Sequence, residues 1–322
     1  MKYRKLGNTG IEVSEIGFGA WGIGKSQWIG ADDNVSLSTL KVAFDFGINF
    51  FDTALAYGDG HSERLLARAF GKSAEVVIAS KAPPLNRVWP ARKGTPLREV
   101  FPGEYVLKSL DQSLANLQRD TLDLYQFHVW NDEWAQQEEW RKTVEKMKTS
   151  GKVRAIGLSI NDHQPANALA ALATALIDSV QVIYNIFDQS PEDRLFPYCR
   201  RHGIGVIARV PFDEGSLAGA VHPDATFPPA DFRNIYFKGN RKVEVWSRVQ
   251  KILADTHATV NELPGLALRF CLTDPAVSTV IPGMRRPERV SANVAASAAG
   301  PLPPAIIEKL RPHRWVRDYY SG

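Results

Sequence analysis

The stretch NFFDTALAYGDGHSERLLARAF (49–70) passes from a strand through a loop into a helix. It opens on a short apolar run, 48–51, bounded by Gly47 and Asp52, which is the pattern of a buried strand. It closes on a helix predicted over 62–70, with Leu65, Leu66, Ala69 and Phe70 at helical spacing. Asp52 therefore ends a strand, and Tyr57 sits in the loop that follows. In parallel α/β proteins ligands gather at the carboxyl ends of strands, so a carboxylate and a phenol here point to a site. A helix-capping Asp and a packing Tyr would fit the same stretch.

Two further stretches repeat the arrangement. EVVIAS (75–80) reads as a second buried strand and is followed by Lys81; LDLYQF (122–127) reads as a third and is followed by His128. Asp52, Tyr57, Lys81 and His128 thus fall at equivalent places after three strands, and their chemistry is complementary. A free phenol has a pKa of about 10 and is a poor acid at neutral pH. A neighbouring ammonium would lower that pKa, and a carboxylate would hold the ammonium in place. A His could orient the substrate oxygen or share the proton. Together they make a general acid aimed at a carbonyl oxygen.

At this point the sequence resembles the aldo-keto reductase superfamily over nearly its whole length. The resemblance rests on RKLGNTGIEVSEIGFGAWGIG (4–24), FFDTALAYG (50–58), ASK (79–81), DLYQFH (123–128), GKVRAIGLS (151–159), VQVIYN (180–185) and IPGMRRPERVSAN (281–293). It implies a catalytic tetrad of Asp52, Tyr57, Lys81 and His128. It also implies an (α/β)8 TIM barrel with an N-terminal β-hairpin, and a nicotinamide cofactor, NADP(H) in preference to NAD(H).

The rest of the chain is read against that expectation. Residues 3–6 and 11–15 flank Gly-Asn-Thr-Gly and predict a β-hairpin. Strands are predicted at 16–19, 48–51, 75–80, 122–127, 153–158, 179–183, 204–208 and 277–281. Helices are predicted at 34–46, 62–70, 103–118, 136–149, 164–175, 191–202, 260–272 and 287–297. Such alternation calls for a parallel sheet, and eight strands match one closed barrel domain over 1–322. Two connections, 81–103 and 212–239, are long and rich in proline or glycine, and should overhang the site as long loops at the C-terminal face. One is expected to shape the substrate pocket and the other to cover the cofactor. In the tail, 306–314 reads as a helix; Trp315, Tyr319 and Tyr320 either pack on the barrel or reach its mouth.

The glycines of GFGAWGIG lack Rossmann spacing, so a Rossmann turn is rejected. The resemblance places the cofactor elsewhere. Gly19, Ala20 and Trp21 match the loop at its nicotinamide end, and Ser159 and Gln181 match the carboxamide-binding residues. The family usually has Asn directly after that Ser; here Ile160 stands there, and Asn161 either substitutes or leaves one hydrogen bond unmade. Arg209 occupies the place of an aromatic that stacks on the nicotinamide, with Asp213 and Glu214 near enough in sequence to offset its charge. Val210, Pro211, Phe212 and Gly215 continue that segment. After Gly283, the residues Arg285, Arg286, Arg289 and Asn293 match the grip on the adenosine 2′-phosphate and adenine. Ala292 replaces a usual Glu there. Cations at a helix start oppose the helix dipole unless an anion is bound, which favours the phosphate reading.

Composition narrows the function classes. The chain has 322 residues, a formal net charge of +4 and only two cysteines, Cys199 and Cys271, each in an apolar helical stretch. No disulfide framework or zinc site is indicated, nor a metal ligand set. No apolar run is long enough for a membrane span, the N-terminus lacks a signal-peptide core, and no basic block suits nucleic acid. The expectation is a cytoplasmic enzyme acting on a small-molecule carbonyl substrate. Trp21, Trp28, Tyr57, Trp89, Trp130 and Phe212, with His128, are the candidates for an aromatic-walled pocket. The competing function class is a cofactor-binding regulatory subunit resembling potassium-channel β subunits.

Overall fold

The structure, a computed structural model, describes residues 1–320. The hairpin pairs β1 (Tyr3–Lys5) with β2 (Glu12–Ser14) in antiparallel register. The barrel strands are β3 (Phe18–Gly19), β4 (Phe50–Asp52), β5 (Val77–Ala82), β6 (Leu122–Phe127), β7 (Val153–Ser159), β8 (Ser179–Ile183), β9 (Gly205–Arg209) and β10 (Val277–Val280). All neighbours are parallel and in chain order. Parallel bridges from Ile16 to Val280 and from Gly19 to Gly283 bring the first strand against the last, and the sheet closes into an (α/β)8 barrel. Gly19 is needed at that seam, because a Cβ there would stand 2.8 Å from the Ile281 carbonyl oxygen.

Two apolar cores result. Leu6, Ile11 and Val13 of the hairpin join Phe50, Val77, Ala79, Leu124, Ala155 and Ile207 inside the barrel, so the hairpin plugs its amino-terminal end. The larger core lies between the outer face of the sheet and the helices. The helix Gly103–Leu117 shows the pattern: Val106, Leu110, Leu114 and Leu117 repeat at helical spacing and are buried against the sheet. Burying each such side chain contributes about 1.5–3 kcal/mol. The apolar plug leaves the opposite end, where the polar strand ends lie, as the open face.

Several expectations are revised. The helix predicted at 164–175 shrinks to Leu169–Leu172, because the Asp132 carboxylate, from another loop, accepts the N–H groups of Ala170 (2.7 Å) and Ala171 (3.0 Å) and sets where the helix starts. A helix at Arg241–Thr256 is absent from the reading of the sequence. Its buried Val245, Val249 and Ile252 follow helical spacing, but the β-branched residues lower helix propensity and obscure the period. The 16–19 strand shortens to two residues. Cys199 and Cys271 are buried free thiols. Among the described residues no single helix is long and apolar enough to cross a membrane.

Candidate active site

Strand register gathers the polar groups. Gly19 lies beside Asp52, Lys81 beside Gln126, and Ser159 beside Gln181, all near the carboxyl end of the sheet. Lys81 is fully buried, and its ammonium donates to Asp52 Oδ2 (2.7 Å), to the Thr53 carbonyl (2.7 Å) and to the Tyr57 hydroxyl (3.5 Å). The other Asp52 oxygen accepts from Gln181 Nε2 (2.7 Å) and Gln126 Nε2 (3.3 Å). A buried carboxylate with this many donors holds the ammonium in one place. Gln126 is missing from the sequence-based site; the signal for it was a glutamine two residues from the inward-facing Leu124 on the strand Leu122–Phe127.

Tyr57 is held by a tight loop. Its own N–H donates to the Ala54 carbonyl (3.0 Å), and Gly58 follows at φ 65°. A Cβ on Gly58 would lie 2.0 Å from the Gly24 carbonyl oxygen, so only glycine lets these two loops meet. The Tyr57 ring stands 5.6 Å from the His128 ring, edge to face, and Trp89 stands 5.8 Å from His128 on another side. Thus the four expected catalytic residues do converge.

Their electrostatics differ from the simple expectation. Burial raises the Tyr57 pKa above the usual phenol value and outweighs the downward pull of Lys81, with Arg209 assisting Lys81 and Asp52 opposing it. The phenol is therefore protonated at neutral pH. Burial, then Lys81 and Arg209, push His128 well below the ordinary histidine value, so its imidazole is neutral. His128 Nδ1 is buried without a partner among the described residues.

These groups open into a cleft of about 1450 Å³ that runs over the end of the barrel. Of the residues expected to hold the cofactor, all line the cleft except Ala20. Ala20 is fully buried; its N–H donates to the Asp52 carbonyl and its carbonyl accepts from Ser62 Oγ. Ser62 thus ties the helix His61–Phe70 to the barrel and does not cap it. Trp130, expected in the pocket, is also corrected. It is fully buried among Phe127, Trp134 and Trp140, with ring centroids 5.2–5.7 Å apart, and belongs to the core.

Asn161 lines the cleft, yet its side chain is engaged elsewhere. Its Nδ2 donates to the Ala91 carbonyl (3.0 Å), and its Oδ1 accepts from the Ala91 N–H (3.2 Å). It thereby anchors the loop carrying Trp89. Arg209 reaches the cleft with its guanidinium fixed to Asp162 (2.7 Å) and the Ile160 carbonyl (3.0 Å). Its first counter-charge is therefore Asp162. Asp213 instead pairs with Arg317 (2.5 Å), and Glu214 accepts from the Tyr320 hydroxyl.

Both long connections contribute lining residues, among them Trp89 and Pro90 from the first and Phe212, Gly215 and Phe232 from the second. Phe232 donates its N–H to the Gln27 carbonyl (3.0 Å), and its ring packs on Trp21 (5.3 Å) and Trp28 (6.2 Å). The loop after β3 therefore meets the second connection. The tail does both things considered for it: Trp315 packs on Phe187, whereas Tyr319 and Tyr320 line the cleft. At the far end Arg286 and Arg289 are exposed at the start of the helix Glu288–Ala299, with no ion-pair partner among the described residues, while Arg285 donates to the Ile29 carbonyl (2.9 Å). Unpaired guanidinium groups at a helix start fit the phosphates of a dinucleotide, and the polar shelf of Ser159 and Gln181 fits a carboxamide.

Comparison with known proteins places the chain in a family. The profile of the Aldo/keto reductase family matches residues 15–314. The chain is 32% identical to the aldo-keto reductase YhdN of Bacillus subtilis over 299 residues, covering 91% of this chain and 87% of that protein. It is 30% identical to the NADH-specific methylglyoxal reductase of Escherichia coli over 314 residues, covering 92% and 93% respectively. Among solved structures it is similar to the holo form of aldo-keto reductase AKR11C1 from Bacillus halodurans, with a TM-score of 0.76, 27% identity and 98% and 96% of the two chains covered.

Proposed function

The chain belongs to the aldo/keto reductase family and is an NAD(P)H-dependent oxidoreductase, and from that premise we propose that it is a single barrel domain that reduces an aldehyde or ketone to the alcohol, with NADPH preferred and Tyr57 as the general acid. The observation that carries the proposal is the buried Asp52–Lys81 pair whose ammonium lies 3.5 Å from the Tyr57 hydroxyl. When bound, the nicotinamide supplies the hydride for the carbonyl carbon. The chain's own residues do the remainder. Tyr57, protonated at neutral pH, donates its proton to the carbonyl oxygen. Lys81 then faces the phenolate that results, so its charge stabilises the transition state more than the ground state. Asp52, fixed by Gln126 and Gln181, holds the Lys81 side chain in place beside Tyr57. His128 is neutral and serves as an orienting hydrogen-bond partner, not as the acid.

On the cofactor side, Ser159 and Gln181 would meet the carboxamide, although the Gln181 Nε2 is already committed to Asp52. Arg209, neutralised by Asp162, would present a flat, fixed guanidinium to the nicotinamide. Arg286 and Arg289 would hold the 2′-phosphate. Substituting Tyr57→Phe removes the proton donor and little contact area. We expect carbonyl reduction to fall by roughly 10²–10⁴-fold, with NADPH affinity nearly kept. Full reduction by the variant would show that another group supplies the proton.

A further inference from the structure

Arg87 lines the same cleft as Tyr57 and His128, two residues before the Trp89 that packs on His128. We infer that Arg87 is a substrate-recognition residue and that the preferred substrates carry an anionic group, a carboxylate or a phosphate, at the end away from the carbonyl. This rests on the carbonyl reductase reading above.

Three observations support it. First, Arg87 is weakly engaged: its nearest acid is Asp59, at 4.0 Å, and that side chain is 91% exposed. A contact so long and so solvated is worth little, so the guanidinium remains available to another anion. Second, its backbone is held in the left-handed region, at φ 55°, which residues other than Gly, Asn and Asp seldom adopt. The Arg87 N–H donates to the Pro84 carbonyl (3.0 Å), and the Val88 N–H donates to Asn86 Oδ1 (3.1 Å). The loop thus fixes the backbone from which the arginine projects at the rim, and the Asn161–Ala91 bonds anchor the same loop a few residues on. Third, the other cations near the reacting end have acid partners among the described residues. Lys81 faces Asp52, Arg209 faces Asp162, and Arg233 faces the buried Asp231. Arg87 is therefore the weakly paired charge near the reacting end.

The test compares 4-oxobutanoate with its methyl ester, which differ in charge and little else. The wild type should show a higher kcat/KM for the acid, carried mainly by KM, and the preference should shrink as salt rises. Arg87→Met should reduce the acid-to-ester ratio by about tenfold or more, as expected for loss of a charge-assisted hydrogen bond. Arg87→Lys should retain much of the ratio, and Asp59→Asn should increase it by removing the competing acid. In parallel, binding of butanoate and of butanamide is followed by tryptophan fluorescence, which needs no turnover. Tighter binding of butanoate, lost in Arg87→Met, supports the anion site even if neither aldehyde is reduced; that outcome would overturn the reductase reading alone. Reduction of both aldehydes with equal kcat/KM, or a ratio that Arg87→Met leaves as it was, overturns this inference and leaves the reductase reading standing.

Discussion

At Tyr57 two forces oppose each other, and the balance decides how the proton is stored. Burial raises the phenol pKa, and Lys81 is the largest influence lowering it. Removing Lys81 leaves burial and the Asp52 charge, both of which raise it. In Lys81→Met the basic limb of the reduction profile should therefore move to higher pH, because Tyr57 stays protonated further into the alkaline range. The activity that remains should be low, since the phenolate formed on proton transfer loses its counter-charge. The substitution also strands a buried carboxylate, which costs about 3–5 kcal/mol in comparable pairs, so a thermal melt should accompany the pH profile. A folded variant with residual activity and an unmoved basic limb would count against the Lys81–Tyr57 pairing. At this scale the four catalytic candidates were readable because they fall at or just after the ends of three successive strand motifs, Asp52 and Tyr57 sharing one. Gln126 and Asp162 were not, because neither stands beside its partner in the chain.

Among the elements, the tail is the one whose role depends most on packing. Arg317 pairs with the buried Asp213, and the Tyr320 hydroxyl donates to Glu214, so the tail is fastened to the segment that follows β9. Burial raises the Glu214 pKa to about 7 from a usual value of 4.5, and Tyr320 and Arg209 only partly counter this. The folded protein therefore holds a proton on Glu214 that the unfolded chain has already released. With the folded pKa above the unfolded one, that contribution is full below pH 4.5 and is lost as pH rises through about 7. Glu214→Gln mimics the protonated form. Wild type and variant should melt together near pH 4.5, and above pH 7 the variant should be the more stable, by on the order of 1–3 kcal/mol. Parallel melting curves across that range would show that Glu214 ionises in the folded protein as readily as in the unfolded chain. The tail helix itself, Pro304–Leu310 with a 3-10 turn to His313, was legible in sequence. Which residues beyond it enter the cleft was set by the Phe232–Tyr320 stack, 6.0 Å between centroids, and by the acids they meet.

Across the whole molecule, the cleft joins loops from both ends of the chain, and its far end carries the charge that should select the cofactor. Arg289, with Arg286 beside it, is exposed and unpaired among the described residues. A hydrogen bond to a charged group contributes about 1.5–3 kcal/mol, and 1.4 kcal/mol corresponds to about tenfold. Arg289→Ala should weaken NADPH by roughly ten- to a hundredfold and leave NADH, which lacks the 2′-phosphate, nearly as before. The wild-type preference should also fall with rising salt, since the contact is exposed. Tryptophan quenching on titrating each cofactor into both proteins reads the result. Equal weakening of the two, or a wild type that favours NADH, would reduce the arginines to a solvated helix start.

The sequence by itself determined the eight-strand alternation, the hairpin and the order of Asp52, Tyr57, Lys81 and His128. These are local: a buried strand needs only a short apolar run between turn residues, and a residue just past that run must lie at the strand's carboxyl end. The tertiary structure alone decided what the polar and aromatic side chains near those ends do. Asn161 binds Ala91, Arg209 binds Asp162, and Gln126 binds Asp52, each across two or more elements of the barrel. Trp130, close in sequence to His128, faces away from it into a cluster of aromatics. A periodic pattern specifies which face of an element is buried. It does not specify which of several buried or half-buried neighbours satisfies a given amide, guanidinium or indole, because that partner arrives only when the barrel closes.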